Sequence, residues 1–422
     1  MLLMGLATPS HAETIAITGG RVVIGDGSAP IAGGTVIIRD DRIVAAGSNI
    51  TVPSGARQID ASGKWVTPGI FAGFSRVGLT EVGAVKQTND EDAAGSPFSA
   101  ALDVQYAINP FATPIAVNRA AGVTRAVVSP AAGKSIFGGF GAVIDLGDDS
   151  QPITKARAFE FVELGETGQA RAGGSRTASH VLFRALLEEA RTYARNPAIF
   201  DSDLLKASDA KALLPVIDGR VKLLVHVESA NDILQVLNLK RDFPKLDMVL
   251  VGVSEGWRVA TQIAAARVPV IASALNDLPY GFENLSATQS NIGRMQAAGV
   301  SVAIGMINDN DAHQLRYTPQ YAGNLVALTK VPRASGLSWD QAFAAISSKP
   351  AEAMGLGDQL GSLRAGLRAD VVIWNGDPLE LSSKAELVMI DGKQQSLANR
   401  QDRLRIRYAN PTEGALPKAY DR

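Results

Sequence analysis

Residues 221–252 read VKLLVHVESANDILQVLNLKRDFPKLDMVLVG. Two near-continuous apolar runs, KLLVHV and MVLVG, flank a segment of helical character. A strand that is apolar on both faces is buried on both faces, which marks a parallel sheet covered by helices. The same alternation extends in both directions. Upstream lie GVTRAVVSP (122–130), FGAVIDLG (140–147) and RAFEFVEL (157–164); downstream lie VPVIAS (268–273) and GVSVAIG (299–305), with helical stretches such as 178–194 and 257–266 between them. With the run at 65–74 counted first, eight strands fall within 68–355. The prediction is an α/β fold with a closed (β/α)8 TIM-like barrel.

The flanks follow another pattern. Over 13–67, short β-branched runs alternate with turn residues, and Asp40-Asp41 reads as a hairpin turn between antiparallel strands at 35–39 and 42–46. Beyond 356, RADVVIWNG (368–376) and AELVMIDGKQQ (385–395) are again short strands. Neither flank is long enough for a core of its own, so 13–67 and 356–422 are expected to join in one small β-sandwich subdomain. The Arg-rich end after Asn399 reads as a solvated extension. At the front, residues 2–7 are apolar and Ser10-His11-Ala12 has small residues where a secretory cleavage site needs them. Residues 1–12 are expected to be a signal peptide, and the mature protein periplasmic or secreted.

Composition narrows the chemistry. Among 422 residues, 41 basic side chains face 42 acidic ones, for a net charge of -1, so there is no electrostatic reason to expect nucleic acid or an anionic membrane as partner. No apolar run reaches the ~18 residues a membrane span needs. The absence of cysteine excludes disulfides, thiolate-bound zinc, iron–sulfur clusters and thiol nucleophiles. Imidazole chemistry rests on four residues, His11, His180, His226 and His313.

Two longer signatures carry a resemblance. GGTVIIRDDRIVAAG (33–47) followed by IDASGKWVTPGI (59–70), and AISSKPAEAMGLGDQLGSLRAGLRADVVIWNGDPLE (345–380), resemble the lead-in to and exit from the barrel of the amidohydrolase superfamily, in particular its imidazolonepropionase-like secreted members. The resemblance implies a (β/α)8 barrel holding one or two divalent metals, a β-sandwich from both chain ends, and attack of a metal-bound hydroxide on a C–N or related bond.

The ligand positions depart from that pattern. The family's His-x-His on the first strand falls at Phe74 and Arg76, and Ala72 takes the place of the preceding Asp. His226 matches the fifth-strand histidine, but Gly252 stands at the sixth-strand histidine. The last-strand Asp falls at Ile307, with Asp309 two residues on. Glu163 or Glu166 stands where the family carries a bridging Lys or Glu. A catalytic zinc normally takes three protein ligands, and only His226 clearly remains. Arg76, paired with Glu163, Glu166 or Asp309, is expected to replace the metal's charge.

Other motifs carry less. GVSEG (252–256) fits the G-x-S-x-G of a serine nucleophile, with His313 and Asp277 or Asp309 as later partners for Ser254. AAGKS (131–135) lacks the first glycine of a phosphate loop, since Val128 stands there. The resulting expectation is a protein with a degenerate metal site and no resident cofactor, acting as a binding or partner subunit of an active amidohydrolase and forming oligomers. The small-molecule ligand is unspecified. The alternative is an active hydrolase of C–N bonds holding zinc or another divalent metal in a mononuclear site of His226, a fourth-strand carboxylate, and Asp309 or His313.

Overall fold

The computed structural model describes residues 13–274, 276–307 and 312–409. The signal-peptide segment 1–12, with His11, and the candidate Asp309 lie outside the described residues. Five strands lead in, β1 (Thr14–Val22), β2 (Ile31–Arg39), β3 (Arg42–Gly47), β4 (Arg57–Asp60) and β5 (Trp65–Pro68). The next eight are β6 (Ile70–Ser75), β7 (Val123–Val128), β8 (Phe137–Asp145), β9 (Ile153–Glu163), β10 (Lys222–Val227), β11 (Met248–Gly252), β12 (Val270–Ala272) and β13 (Val302–Ile304). Three close the chain, β14 (Val371–Trp374), β15 (Ala385–Ile390) and β16 (Lys393–Gln394).

Strands β6 to β13 lie side by side in chain order in one eight-stranded sheet that curls into a nearly closed barrel. At the seam, the Met306 N–H donates to the Phe74 carbonyl at 3.1 Å. Gly73 allows this approach, since a Cβ there would fall 2.5 Å from the Ile304 carbonyl oxygen.

The barrel departs from the expected parallel sheet at its third strand. β8 runs antiparallel to both β7 and β9. The connections 129–136 and 146–152 are shorter than the dozen or so residues a parallel crossover needs, so a meander replaces the strand–helix–strand unit there. Elsewhere the pairs are parallel, and Ser229 caps the helix Ala230–Asp242 between β10 and β11 by accepting the Asp232 N–H.

Alternate residues point inward. Phe71, Val127, Phe159, Phe161, Leu224 and Val251 fill the barrel, and Met354, Leu356 and Leu360 from the exit segment close it from below. At the same lower end Arg125 of β7, 1% exposed, is gripped by Asp370 through Nε and Nη2 at 2.7 and 3.0 Å, with Asp391 at 2.7 Å. That pair ties the Ala369-Asp370 step of the exit signature to the barrel.

The two chain ends form the second sheet, in the order β16-β15-β14-β5-β1-β2-β3, with β4 also paired to β1. The junction is β14 against β5, where Val371 faces Pro68 and Trp374 faces Trp65. Its core draws on both ends, with Ile17, Val36 and Ile38 packed among Leu363, Val371 and Met389. The hairpin at Asp40-Asp41 forms as read, Asp40 taking φ 52°. The sheet is mixed where antiparallel pairing was expected, because β1 pairs β4 and β5 in parallel. Among the described residues no helix is long and apolar enough to cross a membrane. The terminal helix Arg400–Tyr408 has no buried residue.

Candidate functional site

The upper ends of β9, β10 and β11 converge on His226. Register places His226 opposite Glu163, so both side chains leave the sheet on its inner face as cross-strand neighbours. His226 Nδ1 lies 2.7 Å from Glu163 Oε2, and its Nε2 lies 3.1 Å from Glu228 Oε1. Glu228, two residues beyond His226, returns to the same face and is completely buried. Its other oxygen accepts the Ser254 N–H at 2.8 Å.

Protonation follows from this geometry. Burial opposes a charge on His226, but Glu163 and Glu228 outweigh it and hold the imidazole well above its ordinary pKa. Burial would raise Glu228, yet His226 and the Ser254 hydroxyl and amide keep it below the usual carboxylate range. The centre is thus an imidazolium between two carboxylates.

The rim is acidic as well. Glu283 accepts the Glu166 N–H at 2.7 Å, and burial lifts its pKa. Tyr280 is 61% exposed as a residue, but its hydroxyl end is desolvated beside Glu228, which raises the phenol. Asn284 holds this loop by accepting the Tyr280 and Gly281 amides at 3.2 and 2.8 Å.

The donor set does not fit the divalent metal implied by the family. Both ring nitrogens of His226 already face a carboxyl oxygen, of Glu163 at 2.7 Å and of Glu228 at 3.1 Å. Phe74, at the first histidine position, is buried with its ring 5.9 Å from that of Phe161. Gly252 has φ +91°, and a Cβ there would fall 2.5 Å from Glu228 Oε1 and 2.9 Å from His226 Cδ2. Ile307 packs against the apolar interior. Among the described residues no three His, Asp or Glu side chains converge to hold a metal ion.

Of the partners expected for Arg76, Asp309 lies outside the described residues. Arg76 Nη1 pairs with Glu91 Oε2 at 3.2 Å, and among the described contacts it meets neither Glu163 nor Glu166. Glu91 is held ready by the Thr80 hydroxyl at 2.6 Å, and its carbonyl accepts the Ala131 N–H. The positive charge between the carboxylates comes instead from the neighbouring strand, as the proton of His226.

Other candidates separate from the centre. His313 is 94% buried beside the seam; its carbonyl accepts from Asn118 at 2.8 Å, and its Nε2 lies 3.3 Å from Gln314. Nothing among the described contacts brings it to His226. The Ser254 hydroxyl accepts from Asn276 at 2.8 Å, and Asp277 is engaged by the Gln289 N–H. Neither His313 nor Asp277 serves Ser254, so the serine-nucleophile geometry is absent from the described contacts. Sequence reasoning missed Glu228, Tyr280 and Glu283. Glu228 was signalled by the two-residue period from His226; the other two stand on a loop without periodicity.

Comparisons with known proteins agree with this framework. A model of the Amidohydrolase family matches residues 249–395. Amidohydrolase tasK of Hapsidospora irregularis is 23% identical over 382 residues, covering 82% of this chain and 38% of its own length, so the chain spans well under half of that relative. Among solved structures, an amidohydrolase from Thermotoga maritima MSB8 superposes with a TM-score of 0.79 at 23% identity, covering 92% of this chain and 100% of that one. Molinate hydrolase gives 0.56 at 20% identity over 96% and 98% of the two chains. An adenosine deaminase from Xanthomonas campestris with bound zinc gives 0.53 at 16% identity over 90% and 92%. With both signatures and the barrel in hand, the family match over residues 249–395 and these likenesses support an amidohydrolase superfamily assignment.

Proposed function

We propose that this chain acts by binding and not by metal-dependent hydrolysis, as the partner subunit of an intact, metal-bearing amidohydrolase. The observation that carries the reading is His226, whose two ring nitrogens are taken by Glu163 and Glu228 at 2.7 and 3.1 Å. The rim supports a role in contact: Leu278, Tyr280, Phe282 and Leu285 are 61 to 84% exposed within one loop, and clustered exposed apolar side chains mark interaction sites.

The test is metal content and co-purifying protein measured together on material from the native compartment. The expected result is far less than one metal per chain, with a metal-bearing amidohydrolase retained in the same complex. Stoichiometric zinc or manganese, lost together with C–N hydrolysis in His226→Ala, would overturn the reading. It would install the mononuclear alternative built on His226, Glu163 or Glu166, and Asp309 or His313.

A further inference from the structure

Glu160 precedes Glu163 by three residues on β9 and so leaves the strand on the opposite face, away from the barrel interior. It is completely buried, and neither carboxyl oxygen has a hydrogen-bond partner among the described residues. Its neighbours across the sheet, Phe140 on β8 and Leu223 on β10, are apolar. The charged groups facing it are Asp209 from the helix Ala207–Ile217, Asp103 ahead of the short turn Val104–Tyr106, and Arg157 of β9 itself. Arg157 is already committed, with Nε 2.6 Å from Asp103 Oδ2 and its guanidinium 4.9 Å from the centre of the Phe140 ring. The Gly139 amide lies nearby but falls short of hydrogen-bond geometry. A buried carboxyl without a donor or a cation of its own is held neutral, and burial together with the two aspartates pushes it well above the usual carboxylate range.

The aspartates that face Glu160 also fasten the segment lying over it. Asp209 Oδ1 accepts the N–H groups of Ser99 and Ala101 at 2.9 and 2.8 Å. The Leu102 carbonyl accepts the Phe140 N–H at 2.8 Å. Beside this clasp lies a cavity of about 310 Å³ whose lining includes Ser99, Leu102, Lys134, Ser135 and Asp209.

We propose that Glu160 is a proton-operated latch: neutral, it lets segment 99–107 close on β8 and β9; ionised, it drives that segment off and opens the cavity at Lys134 and Ser135. The closed state binds one proton more than the open state at any pH between the ordinary carboxylate value and the raised one. Closure is therefore complete in acid and is lost as the pH rises through the raised value, with opening increasing up to about tenfold per pH unit on the way.

Hydrogen exchange of the full chain tests this. After correction for intrinsic exchange, opening of 99–107 is expected to rise by up to about tenfold per pH unit above about pH 5 and then level off. In Glu160→Gln, which keeps the shape and cannot ionise, it is expected to stay flat. A Glu160→Gln variant that keeps the slope of the wild type would overturn the proposal. Should that variant fail to fold, infrared spectroscopy of the wild type decides. A protonated carboxylic acid band at neutral pH, disappearing as the segment opens, supports the latch; its absence at neutral pH overturns it.

Discussion

The carboxylate of Glu228 fills the space that any side chain at Gly252 would enter, with a Cβ at position 252 falling 2.5 Å from Glu228 Oε1. Glycine at 252 and the buried position of Glu228 therefore depend on each other. Gly252→His, which restores the family's residue type, is expected to leave metal content unchanged. It should cost about 3 kcal/mol, from a side chain forced to φ +91° and from overpacking against Glu228. Thermal unfolding and metal analysis of the variant check both halves.

Removing the imidazolium strands two buried carboxylates. His226→Ala is expected to destabilise the fold by about 3 to 5 kcal/mol, the usual cost of breaking a buried ion pair from one side. Denaturant titration measures it, and a loss under about 1 kcal/mol would show that Glu163 and Glu228 do not depend on His226.

The pH dependence has a sign on each side. His226 is raised above the ordinary imidazole value of 6.5, so its contribution is complete below that value and is lost as pH rises through the raised one. Glu228 is lowered from 4.5, so its contribution is present above that value and lost as pH falls. Stability should peak between these two limits and decline on both sides. A melting temperature that climbs steadily from pH 6 to pH 9 contradicts this pairing.

Arg125 is the cation of the lower end. Arg125→Met leaves Asp370, Asp391 and Asp145 without it and is expected to cost about 3 to 5 kcal/mol. Asp145 is pushed up to about 6 by burial in the intact protein, from 3.8; its protonated form favours folding, and that contribution is lost as pH rises through about 6. Without Arg125 the Asp145 carboxyl should rise further, and Asp391, which Arg125 holds low against burial in the intact protein, should rise too, so the variant should gain more stability on acidification than the wild type does. Parallel unfolding curves at two pH values make the comparison.

Ser254 is bonded to Asn276 and Glu228 and meets no imidazole among the described contacts. Ser254→Ala is expected to cost about 1 kcal/mol as a lost hydrogen bond, and a fluorophosphonate probe should leave the wild-type serine unlabelled. Covalent labelling at Ser254 would reopen the nucleophile reading.

Much of the framework was legible because it is written in local patterns. Apolar runs placed the strands, the hairpin at Asp40-Asp41 followed from its turn residues, and the lead-in and exit signatures brought the chain ends together. The substitutions at Phe74, Arg76 and Gly252 were legible for the same reason, since each is read against a short motif. The reversed direction of β8 was missed although its cue is local, because the brevity of 129–136 and 146–152 carries no hydrophobic period.

Sequence alone determined which residues form strands and which residue types stand at Phe74, Arg76 and Gly252. Tertiary structure alone decided the partners: Glu91 for Arg76, Glu163 and Glu228 for His226, and, among the described residues, no hydrogen-bond partner for Glu160. It also decided their charges, because ionisation depends on burial and on through-space neighbours as far apart in the chain as Glu163 and His226 or Arg125 and Asp370, and no local pattern encodes those distances.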